Sequence, residues 1–161
     1  MEQFVEVIAA DLQRPDHQQA VLVLTDAYAR DPMGGGTPLP AATRERLVPA
    51  LQRHPTTLIF LAYINGREVG LATCFLGLST FSARPLLNIH DLVVEPESRG
   101  RGVGRRLLSA VEQRARELGC CKVTLEVGET NTRARHVYEL EGFTQAKYGE
   151  AGRLLFYSKT L

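Results

Sequence analysis

Two hydrophobic rhythms run along this chain, and the change between them falls near Thr57. Before it, Asp16 to Ala29 places Ala20, Val21, Leu24, Ala27 and Tyr28 at helical spacing, and Ala41 to Arg53 repeats that spacing through Leu47, Ala50 and Leu51. Two helices are predicted, joined by the loop Asp31-Pro32-Met33-Gly34-Gly35-Gly36-Thr37-Pro38, whose glycines and prolines break regular structure. From Thr57 come dense apolar runs, Leu58 to Ile64 and Val69 to Leu76, with Asn65-Gly66 between them. An Asn-Gly pair suits a type I′ turn, because both central residues need positive φ, so the two runs read as an antiparallel hairpin. A third strand over Leu86 to Val94 is closed by Glu95-Pro96, since proline cannot donate to a ladder and restrains the residue before it.

Beyond that strand, Val103, Leu107, Leu108, Val111, Ala115 and Leu118 form one apolar stripe on a helix predicted over Gly102 to Leu118, with Gly119 at its C′ position. Lys122 to Val127 alternates apolar with polar residues and reads as a strand, and a strand, helix, strand order implies a right-handed parallel crossover. Asn131 to Glu141 reads as a short helix stopped by Gly142, Gly152 to Thr160 as a last strand, and Phe4 to Ile8 as the first. The pattern sums to an α/β fold, a mixed sheet with helices on both faces, in a single domain over residues 1–161.

Composition narrows the function classes. With 161 residues, 44% hydrophobic and 23% charged, the chain is expected to bury one core, which sets aside disorder and a disulfide-stapled miniprotein. A formal net charge of +1 offers no global field for a polyanion, leaving only the local cluster Arg99 to Arg106. That cluster has no interleaved aromatics, so nucleic acid is not the expected partner. Met1 to Phe4 carries no basic segment followed by an apolar run, and no stretch reaches membrane-spanning length, so a cytoplasmic protein without a membrane partner is expected. Cys120 and Cys121 are adjacent among three cysteines, which fits reduced thiols. His17, His54, His90 and His136 share no ligand-like spacing with them, so no metal is expected.

Glycines 100, 102 and 104 stand between a predicted strand and a predicted helix, where missing side chains let a ligand approach the backbone and the helix start offers unpaired N–H groups. An anion site follows, or else a plain glycine-rich turn beside solvated arginines. The spacing is neither G-x-G-x-x-G nor a P-loop, which disfavours dinucleotides and nucleoside triphosphates.

Arg99-x-x-Gly102-x-Gly104, after Leu92-Val93-Val94-Glu95-Pro96, resembles the acyl-CoA signature of the GNAT superfamily of N-acetyltransferases. Asn131-x-x-Ala134-x-x-x-Tyr138-x-x-x-Gly142-Phe143 is similar to that family's closing motif, and the order of elements matches over nearly the whole chain. The resemblance implies a mostly antiparallel sheet whose third strand is bulged and splays from the next to open a cleft. It implies acetyl-CoA as co-substrate, its pyrophosphate on the loop and helix start Arg99, Gly100, Arg101, Gly102, Val103, Gly104 and Arg105, chiefly on the backbone N–H groups from Arg101 to Arg105. The acyl group and pantetheine would lie along Leu92, Val93 and Val94, with Asn131 touching the same arm. Asn131 also reads as an ordinary N-cap.

Tyr138 lies two helical turns after Asn131 and shares its face; the resemblance makes it the acid for the departing thiolate, while the plain alternative is a packed aromatic. His90, Asp91 and Glu126 are the candidates for handling the proton of the incoming amine, His90 as base with Glu126, acting through water, as its main competitor. The segment Asn88-Ile89-His90-Asp91-Leu92 resembles that of the diamine and polyamine acetyltransferases, where a glutamate often stands in the place of His90. Tyr28 and Asp31 in the first interhelical loop region, with Asp91, are the expected substrate contacts. The reaction expected is direct attack of a small-molecule primary amine on the thioester. A fold that binds acyl-CoA without turnover and a peptide or protein N-acetyltransferase are the alternatives, and a homodimer is compatible with either.

Overall fold

The computed structural model describes residues 4–161; Met1 to Gln3, part of the segment read for a leader, lie outside the described residues. Five strands form one sheet in the order β1-β2-β3-β4-β5: β1 Val5–Ala9, β2 Thr57–Ile64, β3 Arg67–Ser79, β4 Arg84–Val94 and β5 Val123–Leu125. The first three pairings are antiparallel and the last, β4 with β5, is parallel. The helices are α1 Pro15–Arg30, α2 Ala41–Arg53, α3 Val103–Glu117 and α4 Thr132–Leu140. The Asn-Gly hairpin forms as its chemistry requires, with φ of 52° at Asn65 and 76° at Gly66.

Alternation along the central strands divides the core between the two faces of the sheet. Ile59, Leu61, Leu71 and Val93 pack with Ala20, Val21 and Leu24 of α1 and Leu51 of α2. Phe60, Ala62, Ala72, Cys74, Leu87 and Ile89 pack with the α3 stripe Val103, Leu107, Leu108, Val111 and Ala115, and with Tyr138 of α4. Each fully buried Leu or Val of that stripe contributes about 1.5–3 kcal/mol from area removed from water, which holds the helix start against the end of β4.

Two irregularities matter for function. The β3–β4 register slips between Thr73 and Cys74, where Thr73 faces Asp91 and Cys74 faces Ile89, so His90 is an extra residue on β4. The parallel ladder is short, ending at Ile89 opposite Leu125. Leu92 to Val94 therefore have β3 on one side and no strand on the other among the described residues. The bulge and the splay are both present.

The tail departs from the expected strand over Gly152 to Thr160. Only an isolated bridge, Lys147 with Arg153, forms there, and Leu155, Phe156 and Tyr157 are exposed. The strand read over Lys122 to Val127 is also shorter than expected, at three residues. The two facts are linked: β5, the open edge on which a last strand would pair, offers few ladder bonds to offset the entropy of ordering the tail.

Candidate active site

The loop after β4 turns through a short 3-10 segment, Pro96–Ser98, into α3. Gly102 is the N-cap of α3, with φ 78° and ψ 4°, a left-handed conformation that costs a side-chain-bearing residue roughly 1–2 kcal/mol. The first i to i−4 bond of the helix runs from Arg106 N–H to the Gly102 carbonyl at 3.0 Å, so the N–H groups of Val103, Gly104 and Arg105 lie ahead of it in the first turn. No acidic residue occupies that turn. A Cβ built at Gly100 or Gly102 meets nothing within 4 Å, and one at Gly104 comes no nearer than 3.8 Å to Val94. The space over the loop is open, and the donors stand at the unpaired end of β4. This cradle suits a diphosphate. Beside it, a groove of about 300 Å³ is lined by Gly102, Arg105, Arg106, Ser109 and Glu141, with Arg105 bonded to Glu141. Arg101 is exposed next to the loop.

Arg99 does different work from its neighbours. Its Nε donates to the Val94 carbonyl at 3.0 Å and its Nη2 to the Asp31 carboxylate at 2.6 Å, tying the end of β4 to the loop after α1. The pair with Arg99 holds the Asp31 carboxyl below the usual range, helped by a bond from Met33 N–H. The Asp31 carbonyl accepts from the N–H groups of Gly34, Gly35 and Gly36, winding the loop tightly. Gly34 is required by this close approach, since a Cβ there would sit 1.9 Å from the Tyr28 carbonyl oxygen. Asp31 thus anchors the loop.

At the bulge, the regular alternation of faces is broken. The exposed His90 ring meets Phe75 edge-on at 5.6 Å, and Phe75 packs with the cluster on the α1 and α2 face. Asp91, paired opposite Thr73, lies within electrostatic reach of Tyr28 on α1. Adjacent residues of β4 therefore both serve the same face. Burial pushes the Asp91 carboxyl up, only partly offset by His90. Burial also raises Tyr28, with Asp91 and Asp31 adding to the shift.

Tyr138 projects from α4 into the core on the α3 side, 9% exposed, with its ring 5.9 Å from Phe143. Burial pushes its phenol up to about 12, and Tyr28 adds a smaller push. Tyr28 and Tyr138 thus belong to clusters on opposite faces of the sheet and sense each other where β4 has lost its neighbour. Asn131 is the N-cap of α4, its side chain accepting from Ala134 N–H at 3.3 Å. Glu126 is exposed one residue beyond β5, and no hydrogen bond or ion pair ties it to His90 or Tyr138 among the described residues.

Electrostatic reach thus links Tyr28 to Asp91 and Tyr138, and His90 to Asp91, near the uncovered stretch of β4, with Asp31 and Arg99 as a strut and Glu126 at the rim beyond β5. Phe75 was not singled out by sequence reasoning: it sits in a strand run where every residue is apolar or small, and only the slipped register reveals that His90 reaches it. No group of three or more His, Cys, Asp or Glu placed to hold a metal is found among the described residues, and no helix there is long and apolar enough to cross a membrane.

A helix-start cradle open to a diphosphate, beside a bulged strand whose far edge is uncovered, can be set beside known proteins. Residues 22–143 match the Acetyltransferase (GNAT) family. The uncharacterized N-acetyltransferase YhfO of Bacillus subtilis is 33% identical over 95 residues, covering 59% of this chain and 63% of YhfO. The thialysine N-epsilon-acetyltransferase of Bos taurus is 32% identical over 74 residues, covering 46% of this chain and 43% of that protein. These matches span less than two thirds of the relatives' own lengths. In fold, the chain superposes on the aminoglycoside N-acetyltransferase AAC(6′)-Iy solved with CoA, with a TM-score of 0.75, 18% identity and coverage of 99% and 97% of the two chains. The signature glycines, the bulged and splayed β4 and the match over most of its length place one conclusion beyond the motifs alone: this chain belongs to the acetyltransferase (GNAT) family.

Proposed function

We propose that this protein transfers an acetyl group from acetyl-CoA to a primary amine of a small molecule. The observation that carries the reading is the bulge at His90, which sets His90 and Asp91 on one face under Tyr28, beside the stretch of β4 that no strand covers. The open backbone of Gly100 to Arg105 would hold the pyrophosphate, and Leu92 to Val94 offer their unpaired edge to the pantetheine arm. Acetyl-CoA supplies an activated acyl group there as a thioester. The names of relatives support the class, since one is a thialysine acetyltransferase and one fold neighbour was solved with CoA.

The residues divide the proton work. A primary amine reaches the site largely as an ammonium, and Asp91 provides the negative charge that seats it. His90, exposed beside Asp91, takes the amine proton and passes it to solvent. The amine nitrogen then bonds to the acetyl carbon and the carbon–sulfur bond breaks, the electron pair leaving with sulfur. Tyr138, protonated throughout the neutral range, donates to the departing thiolate. A phenol at about 12 is a weaker acid than an ordinary thiol near ~8.5, so its contribution is a hydrogen bond in the transition state, with solvent completing the protonation.

The test is thiol release from acetyl-CoA across a panel of amines, with mass spectrometry of the acetylated product. Product formation on small amines is expected. Tight CoA binding with no turnover on any amine or N-terminal peptide would leave a binding protein, and turnover confined to peptides would move the acceptor class.

A further inference from the structure

Which amine the site accepts is constrained by where the negative charge is already spent. Three aspartates stand near the acceptor side, and two are neutralised within the chain. Asp26, its side chain 10% exposed, is bonded to Arg30 at 2.8 Å, to Arg44 at 2.9 Å and to the Leu39 N–H at 2.9 Å. Asp31, 18% exposed, is held by Arg99 at 2.6 Å, with Arg133 of α4 also within electrostatic reach. Asp91 differs from both. It is half-buried, and among the described residues no side-chain hydrogen bond or ion pair reaches it; its titratable neighbours are His90 and, within electrostatic reach on α1, the Tyr28 phenol.

The surface leading away from Asp91 is apolar and aromatic. On the same face of the sheet lie Thr73, opposite Asp91, and then Phe75, whose ring meets His90 edge-on at 5.6 Å and His54 edge-on at 4.6 Å. No carboxylate lies along that row. The next one in its direction is Asp11, just past β1, three strands from β4 and so about 14 Å away at the usual ~4.8 Å spacing. A short diamine laid along Phe75 cannot span that gap. A polycation seated on Asp91 and extended along this row would set its other charges against Phe75 and the histidines, where no carboxylate pairs them; Glu126 lies the other way, at the rim beyond β5.

Building on the acetyl-transfer reading above, we propose that the acceptor is a primary amine bearing a single positive charge on an apolar or aromatic body, its ammonium seated on Asp91 and its body laid against Phe75. Asp91 then acts as the charge anchor on this face, and Phe75 as the residue that sets specificity.

The experiment compares 2-phenylethylamine, butylamine, 1,4-diaminobutane and kanamycin as acceptors with the full chain, and measures 2-phenylethylamine binding by calorimetry with CoA saturating. The aromatic monoamine is expected to show kcat/KM at least roughly tenfold above the diamine and the aminoglycoside, the scale of one mismatched pocket contact. Phe75→Leu, which keeps apolar volume and loses the ring, should raise KM for 2-phenylethylamine by roughly 3 to 10-fold and leave that for butylamine nearly unchanged. Asp91→Asn should weaken both monoamines alike. A higher kcat/KM on the diamine or kanamycin would overturn the proposal, as would a Phe75→Leu protein with wild-type affinity for 2-phenylethylamine. Failure of acetyl transfer altogether strikes the preceding reading instead, and the calorimetric arm still decides this one: no binding of 2-phenylethylamine, or binding indifferent to Asp91→Asn, ends it.

Discussion

The two ends of the opening are built in different ways. At the proposed co-substrate end, the groups belong to one continuous stretch, Gly100 to Arg105, and would act through main-chain N–H groups aimed by a helix start. At the proposed reacting end, Tyr28 and Asp91 toward the acceptor and Tyr138 toward the thiolate come from α1, β4 and α4, and would act through side chains whose environments are made by packing. A backbone site tolerates side-chain change except where a side chain would fill it. A side-chain site answers to single substitutions, one function at a time. This contrast separates what each variant should do.

The largest effect is expected at the backbone end. Gly102→Val places a β-branched residue at φ 78° and fills the space over the loop, so the thermal stabilisation of the protein by acetyl-CoA and CoA should disappear, and the free protein should lose a few degrees of Tm, the scale of ~1–2 kcal/mol of strain. Undiminished CoA affinity in this variant would remove the cradle from the proposed site.

Tyr138→Phe should come next, and on the other side of the contrast. It keeps the ring against Phe143 and removes the donor, so acetyl-CoA affinity holds while kcat falls by roughly 10 to 1,000-fold, toward the lower end because a thiol leaves readily. Single-turnover kinetics check this when chemistry limits the rate. A wild-type rate would reduce Tyr138 to a packed aromatic.

Asp91→Asn should divide stability from function. Because burial raises the Asp91 carboxyl in the native state, that state holds the proton more tightly than the unfolded chain does, and stability is lost as pH rises through the raised value. The Asn variant should therefore melt higher than wild type at neutral pH, with the difference vanishing in acid below the ordinary carboxylate pKa of ~3.9. Acceptor KM should rise by roughly tenfold or more, with CoA binding unchanged. Thermal melts across pH beside steady-state kinetics measure both. A lower Tm at neutral pH would show that Asp91 is a structural partner instead.

The smallest effect is expected at the strut. Arg99→Gln removes the ion pair to Asp31 and the bond to the Val94 carbonyl, which should loosen the loop after α1, beside Tyr28, and raise acceptor KM a few-fold. The Asp31 carboxyl is held down by that pair, so its contribution is present above the usual carboxylate pKa and lost as pH falls through the lower native value. The stability gap between wild type and variant should accordingly close in acid. A variant whose gap is flat with pH would show the pair to be idle.

The sequence alone determined the order of the elements up to α4 and the Asn65-Gly66 hairpin, because periodicity records which side of each element is buried and the Asn-Gly pair sets the turn. Which helices pack on which face came from the fold. The glycine spacing between a strand and a helix likewise marked where an open helix start lies, the place proposed for the pyrophosphate. Tertiary structure decided the rest. His90 and Asp91 are neighbours that a regular strand would turn to opposite faces, and only the slip in register against Thr73 and Cys74 brings both to the α1 side. Asp31 reads as a free carboxylate ready for a cation until the fold delivers Arg99, 68 residues later, to bind it. The tail shows the same dependence, because the run over Gly152 to Thr160 has strand-like residues, yet a strand exists only where another backbone edge is long enough to pair with it, and β5 spans only three residues.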